Sequence, residues 1–328
     1  MTKANILIIA EAGINHNGKL KNAQKLINIA KNSGADFVKF QIFNTKHFIN
    51  KNFVNEKINF KKVYNRFSNL EFSFKEWKTL IDYANRKKIK IFFSIFDEQS
   101  LILLTKLGIN IVKIPSGEIT NIALLKMVNK LKFKTILSTG MSTLGEIKSA
   151  IRLLKNCTVE VLHCVSEYPT INANLSKINY LKKKLNKNVG FSDHTTCIIT
   201  PALAVISGAH IIEKHFTFDK RQKVGDHKIS LNQSELSEMI RYIRIAEKSR
   251  NNFKDKPSLK ERSLKMLARK GVYYSKNLKA GDIIDIKSLK FLRPLNGSLP
   301  SENFQYIINK KLKKNVKELA AVKKEHFF

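Results

Sequence analysis

Eight short apolar runs recur between Ile6 and Lys214, and helical periodicity fills most of the gaps between them. The runs are Ile6–Ala10, Asp36–Gln41, Lys90–Ile95, Asn110–Ile114, Lys134–Ser138, Val159–Cys164, Asn188–Ser192 and His210–Lys214. Runs that are apolar almost throughout predict strands buried on both faces, as in a parallel sheet covered by helices. Helical spacing is found in Ala23–Asn32, Phe74–Arg86, Ser100–Lys106, Ile122–Leu131, Leu144–Leu154 and Pro201–Ser207. A longer amphipathic helix, Gln233–Lys248, follows the eighth run, with Asn232 as its cap. This alternation predicts an α/β fold. A closed (β/α)8 TIM barrel uses all eight strands, although an open doubly wound sheet accommodates the same count.

Polar residues favour the barrel. They cluster just beyond the C-terminal ends of the runs: Glu11, Asn15 and His16, then Lys39 and Gln41, then Ser94. Lys113, Ser116 and Glu118 follow, with Ser138 and Thr139, Ser166 and Tyr168, Ser192, Asp193 and His194, and finally Glu213, Lys214 and His215. In a barrel this is the face on which active sites are built.

The expected barrel domain spans residues 1–250. A polar, charged stretch containing Pro257 reads as a linker over 251–266, and a small domain of short strands and turns occupies 267–328. Some sixty residues bury little apolar surface, so a domain of that size is expected to lean on something else.

The chain of 328 residues is 43% hydrophobic, in the globular range. Its apolar runs are too short to span a bilayer, and no apolar signal segment follows Met1-Thr2-Lys3-Ala4-Asn5, so no membrane association is expected. Three cysteines without CxxC spacing suggest neither a disulfide framework nor a zinc ribbon, and a reducing cytoplasm fits best. The formal charge of +34 raises nucleic acid as a partner. Its lysines are scattered among Asn and Ile, and clusters such as Lys182-Lys183-Lys184 carry no nucleic-acid-binding motif. A solvated surface that also draws in anionic substrates is the preferred reading.

Two side-chain sets carry chemistry. His194 and His215 stand at the mouths of neighbouring strands, where two imidazoles can converge on a divalent ion, manganese or magnesium rather than structural zinc. Two histidines making ordinary hydrogen bonds would give the same spacing; Glu11, Glu213 and Asp226 nearby favour the metal. Lys39 and Lys113 end the second and fourth strands, and a buried ammonium there needs an anion such as phosphate or carboxylate. Ser116, Ser138 and Thr139 add donors. An aldolase-type Schiff base is an alternative use of such a lysine.

These residues lie in motifs that run the length of the chain. They include Ala10-Glu11-Ala12-Gly13-Ile14-Asn15-His16, Val38-Lys39-Phe40-Gln41, Lys113-Ile114-Pro115-Ser116-Gly117-Glu118 and Leu137-Ser138-Thr139-Gly140-Met141. Tyr168-Pro169-Thr170, Gly190-Phe191-Ser192-Asp193-His194, Ile212-Glu213-Lys214-His215 and Gly225-Asp226-His227 follow in order. In content and spacing the series resembles the bacterial sialic acid synthase family, and the C-terminal part resembles its antifreeze-like (SAF) domain, with Arg293-Pro294 at the usual place.

The resemblance implies a transferase that condenses phosphoenolpyruvate with N-acetylmannosamine or a related N-acetylated amino sugar. N-acetylneuraminate synthase is the favoured activity, and a legionaminate or pseudaminate synthase using a 2,4-diacetamido-2,4,6-trideoxyhexose is the alternative. A non-catalytic carbohydrate- or nucleic-acid-binding protein is more remote, since Glu11, Lys39, Lys113, His194 and His215 are intact. The resemblance also implies Mn2+ or Mg2+ at His194 and His215, and phosphoenolpyruvate held by Lys39, Lys113, Ser116, Ser138, Ser166 and Ser192. Gln41, Ser94 and Glu213 complete the expected substrate-binding set. Glu11, Glu118 and Asp226 are the expected catalytic groups, with Tyr168 and Arg293 facing the sugar. The implied assembly is a domain-swapped homodimer in which each small domain covers the partner's barrel. Three positions depart from the family pattern: Ile95 stands where a hydroxyl is common, Ser166 where some members carry Asn, and Leu295 where Gly is usual.

Overall fold

A computed structural model describes residues 6–55, 57–222, 225–250 and 255–328; residues 1–5 and the start of the expected linker, 251–254, lie outside it. The chain divides into two compact units, Met1–Asn252 and Phe253–Phe328. The first unit runs β1 (Leu7–Gly13), α1 (Leu20–Asn32), β2 (Phe37–Ile42), α2 (Thr45–Phe48), α3 (Phe60–Ser68) and α4 (Phe74–Arg86). It continues through β3 (Lys90–Ile95), α5 (Glu98–Lys106), β4 (Ile111–Ile114), α6 (Ile122–Lys130), β5 (Lys134–Ser138) and α7 (Leu144–Leu153). It closes with β6 (Val159–Cys164), α8 (Ser176–Leu185), β7 (Val189–Asp193), α9 (Thr200–Ile206), β8 (Ile211–His215) and α10 (Gln233–Arg250).

All eight strands pair in parallel with their sequence neighbours, and β1 also pairs with β8, from Leu7 opposite Ile211 to Glu11 opposite His215. The sheet is therefore a closed barrel, not an open doubly wound sheet. Side chains alternate along a strand, so each contributes one set inward and one toward the helices. The outward set joins the helices in the main core, with Ile8, Val38, Phe93, Ile114, Leu137, Val161 and Ile212 buried among Leu26, Leu80, Leu104 and Leu124. The inward set forms an apolar floor of Ile9, Phe92, Ile136, Leu162 and Ile211, flanked by Phe37 and Ile111.

Local signals place the helix starts. Ser73 with Glu76 and Thr143 with Glu146 form capping boxes that open α4 and α7. The Glu235 amide donates to Asn232 Oδ1 at 3.0 Å, so Asn232 caps α10 as its sequence suggests. Between β2 and α4 the chain makes an excursion with its own cluster, in which Phe43 packs with Leu70 and Ile14, and Phe48, Phe67 and Phe96 pack alongside.

In the second unit, α11 (Leu259–Ala268) occupies the second half of the stretch read as a linker, opened by a Ser258–Glu261 capping box. The charged composition of 251–266 hid that helix, whose apolar residues Leu259, Leu264, Met266 and Leu267 are all exposed. Strands β9 (Gly271–Tyr274) and β10 (Leu289–Leu292) pair antiparallel, and isolated bridges tie later turns to them. Val272, Tyr274, Leu278, Ile284, Leu312 and Val322 form the unit's own core.

Candidate active site

Two residues beyond the floor, the inward set turns polar. Ile9 leads to Glu11, Phe37 to Lys39, Phe92 to Ser94, Ile111 to Lys113, Ile136 to Ser138 and Ile211 to Glu213, while β6 supplies Cys164 and β7 supplies Ser192. All eight line one cavity of about 200 Å3, with Gln41, Ser116, Ser166, Tyr168, His194 and His215 above them. The period of two along each strand thus gathers on one layer residues that are far apart in sequence.

Charge in this layer is dense and dry. Glu11, Lys39, Lys113 and Glu213 are each less than 5% exposed. The Lys39 ammonium lies 3.0 Å from Glu11 and 2.7 Å from Glu213, and Lys113 pairs with the other Glu213 oxygen, which also accepts from Ser192 Oγ at 2.7 Å. Burial pushes the Glu11 carboxyl up to about 7, against the pull of Lys39. Burial acts on Glu213 in the same sense, but Lys113 and Lys39 outweigh it and hold that carboxyl well below the usual range. The Lys39 ammonium is disfavoured by burial, yet Glu11 and Glu213 outweigh burial and lift its pKa above the ordinary lysine value. Ser138 Oγ is buried without a hydrogen-bond partner. A polar atom so placed is costly unless a ligand reaches it.

Above this layer stand the two histidines, with ring centroids 5.8 Å apart, and the Tyr168 ring stacks on His194 at 4.1 Å. Burial lowers His194 to about 4 and, with His194 beside it, takes His215 well below the ordinary value, so both imidazoles are neutral near pH 7. His194 Nδ1 meets the Val165 carbonyl at 2.6 Å, leaving Nε2 as its free donor atom. His215 Nδ1 is buried with no hydrogen-bond partner and lies 3.7 Å from Asp226 Oδ2. Among the described residues no three His, Cys, Asp or Glu side chains form a preassembled metal cage. Two neutral imidazoles with unused ring nitrogens nevertheless fit an ion that takes its remaining ligands from water or substrate.

Two glycines shape the mouth. Gly13 has φ +52°, at an irregularity of the β1–β2 register, and a Cβ there would lie 3.2 Å from Glu11 Oε1, 3.5 Å from Gln41 Nε2 and 3.7 Å from Asp226 Oδ2. A Cβ on Gly140 would come within 2.1 Å of Ser166 Oγ and 2.8 Å of both Cys164 Sγ and Ser116 Oγ. The Gly140 amide donates to Ser116 Oγ at 3.0 Å.

Most of the expected site residues meet here: Glu11, Lys39, Gln41, Ser94, Lys113, Ser116, Ser138, Ser166, Tyr168, Ser192, His194, Glu213 and His215 all line the cavity. Asp226 approaches its rim beside His215. Glu118 does not line it; its carboxylate accepts from Asn121 at 2.8 Å at the start of α6, and burial raises its pKa. Arg293 belongs to the second unit, exposed just after β10. Ile95, one of the departures from the family pattern, faces the helices in the main core, while Ser94 faces the cavity. Cys164 and Phe96 also line it and were not expected to; continuing the period of two from Leu162 and from Ser94 finds both.

Comparison with known proteins agrees with this geometry. A model of the NeuB family matches residues 26–255, and a model of the SAF domain matches 269–327. An N,N'-diacetyllegionaminic acid synthase of Campylobacter jejuni is 41% identical over 325 residues, covering 95% of this chain and 97% of that protein. The N,N'-diacetyllegionaminic acid synthase of Legionella pneumophila is 38% identical over 336 residues, with 97% and 94% covered. A crystal structure of N-acetylneuraminic acid (sialic acid) synthetase from Leptospira borgpetersenii, in complex with citrate, superposes with a TM-score of 0.73 at 36% identity, over 79% of this chain and 90% of that one. With a closed barrel, one polar residue from nearly every strand end and both family models in register, the chain belongs to the NeuB family and ends in a SAF domain.

Proposed function

We propose that this chain is a nonulosonate synthase, a transferase that joins phosphoenolpyruvate to an open-chain N-acetylated amino sugar and releases phosphate by C–O cleavage. The observation that carries this reading is the buried charged layer, in which Lys39 and Lys113 share Glu213 beneath a hydroxyl-lined cavity. Two ammonium groups there suit a small dianion, and Ser116, Ser138, Ser166 and Ser192 supply neutral donors around it. Lys39 and Lys113 hold the phosphate and carboxylate so that C3 of phosphoenolpyruvate faces the aldehyde carbon. C3 bonds to that carbon, water adds at C2, and the tetrahedral carbon then expels phosphate. Glu11, with a pKa near 7, accepts the proton of the incoming water. Asp226, whose pKa is raised by burial, lies 3.7 Å from His215 Nδ1 and exchanges a proton with the former aldehyde oxygen.

His194 and His215 would hold Mn2+ or Mg2+, which polarises the aldehyde oxygen when bound. Two of the relatives named above are diacetyllegionaminic acid synthases, and that favours a 2,4-diacetamido-2,4,6-trideoxyhexose over N-acetylmannosamine as the sugar. We also assign Arg293 to the sugar and to the site of a second copy, in a domain-swapped homodimer. A cytoplasmic setting fits three cysteines that form no disulfide. The decisive experiment measures phosphate release from phosphoenolpyruvate, with Mn2+ or Mg2+ present, across N-acetylmannosamine and mono- and diacetamido hexoses. Release is expected only when both substrates are present, and fastest with a diacetamido sugar. No release with any sugar overturns the reading.

A further inference from the structure

We propose that Asn15 is a positioning residue that sets the Asp226 carboxylate against His215, and so fixes how the sugar end of the site is assembled. This rests on the synthase reading above. Asn15 is completely buried at the exit of β1 and touches none of the cavity. Among the described residues its side-chain bonds instead cross to the segment after β8. Its Oδ1 accepts from the Asp226 amide at 2.8 Å, and its Nδ2 donates to the Phe216 carbonyl at 2.8 Å and to Ser230 Oγ at 3.0 Å. Ser230 Oγ in turn donates to the Asp226 carbonyl at 2.6 Å. The backbone of Asp226 is thus gripped on both its N–H and its C=O by one connected pair of side chains.

The neighbouring contacts leave this grip little slack. Gly225 has φ +95°, and a Cβ there would fall 2.8 Å from Asn15 Oδ1, so the chain approaches Asn15 as closely as only glycine permits. One turn along, Asn17 Oδ1 meets His227 Nε2 at 3.0 Å. On the far side, Phe216 N–H donates to the Glu11 carbonyl at 3.0 Å and Leu231 N–H to the His215 carbonyl at 2.9 Å. Asn15 therefore ties Asp226 to the two strands that carry Glu11 and His215. The absent side chain at Gly13 leaves Asp226 Oδ2 room to approach them.

Two variants test this: Asn15→Ala, and Ser230→Ala, which removes one hydroxyl of the same pair with little risk to folding. Hydrogen–deuterium exchange is followed at amides 225–231 of the full chain without substrate. Phosphate release is followed at varied sugar and varied phosphoenolpyruvate, using the most active sugar of the panel. Both variants should speed exchange at the Asp226 amide and raise KM for the sugar by about tenfold, while KM for phosphoenolpyruvate stays within about twofold. Exchange at Asp226 unchanged in both variants overturns the proposal, as does an equal rise in both KM values. Should the wild-type chain release no phosphate, the synthase reading fails, and the exchange measurement still decides whether Asn15 holds Asp226.

Discussion

Glu213 is bonded to Lys39, Lys113 and Ser192 together, whereas Glu11 has Lys39 alone, and this difference separates two carboxyls of one layer. The first is fixed as an anion that organises the lysines; the second is poised to take up and release a proton near pH 7. A stability consequence follows for Glu11. Its pKa is raised in the folded state, so the favourable contribution is complete below about 4.5, the ordinary value, and is lost as pH rises through about 7. At about 1.4 kcal/mol for each tenfold change in proton affinity, wild type should lose about 3 kcal/mol across that window that Glu11→Gln does not lose. Urea unfolding of both proteins at pH 4.5 and 7.5 measures it; parallel losses would mean that the Glu11 charge is not penalised by burial. Glu11, Lys39, Lys113, His194 and His215 were readable from sequence because ionisable side chains at the ends of apolar runs need a reason to be there. Asn15 and Gly13 were not assigned roles, since a buried amide and a missing side chain acquire theirs only when β1 meets the segment after β8.

All eight barrel strands and most of the helices between them were located from sequence by their apolar spacing. Runs at Lys90–Ile95, Lys134–Ser138 and Val159–Cys164 match β3, β5 and β6 end to end. The first run stops short of Gly13, because the register irregularity at Glu11 and Gly13 carries β1 past the polar residues. Helices α3, α8 and α11 were not located: the stripe of Phe60, Val63, Tyr64 and Phe67 in α3 lies within an Asn- and Lys-rich stretch, and α8 and α11 are rich in charged residues. In α8, Lys182, Lys183 and Lys184 occupy the last turn, where cations complement the helix dipole. The turn between β5 and α7 offers a test of how closely strand ends are packed around the proposed phosphoenolpyruvate site. Gly140→Ala places a methyl among the side chains of Ser116, Cys164 and Ser166, which must rotate away. Overpacking of this kind costs roughly 1–3 kcal/mol, and KM for phosphoenolpyruvate should rise by about tenfold while KM for the sugar changes less. Steady-state phosphate release resolves the two; an unchanged KM for phosphoenolpyruvate would remove these hydroxyls from the anion site.

The two units of the molecule differ in what they offer chemistry: the barrel carries the ionisable layer, and the SAF domain carries an exposed arginine after β10. If Arg293 serves a partner's barrel, mixing Arg293→Ala with His215→Ala chains should restore activity toward a quarter to a half of the wild-type rate. One complete site then arises in each mixed dimer, from the intact barrel of the first variant and the intact SAF domain of the second. Arginine suits this task because its planar fork holds a carbonyl or hydroxyls more rigidly than lysine does. Subunit exchange followed by mass spectrometry without any recovery of activity would confine the arginine to its own chain. The excursion between β2 and α4 has a different kind of independence. It folds over its own aromatic cluster, and Phe96 belongs both to the packing around Phe43 and Phe48 and to the cavity wall. Such a segment has room to diverge in sequence with less effect on the charged layer than the strands have, provided that Ile14, Phe96 and the hydrogen bond from the Asn44 amide to Asp97 still anchor it.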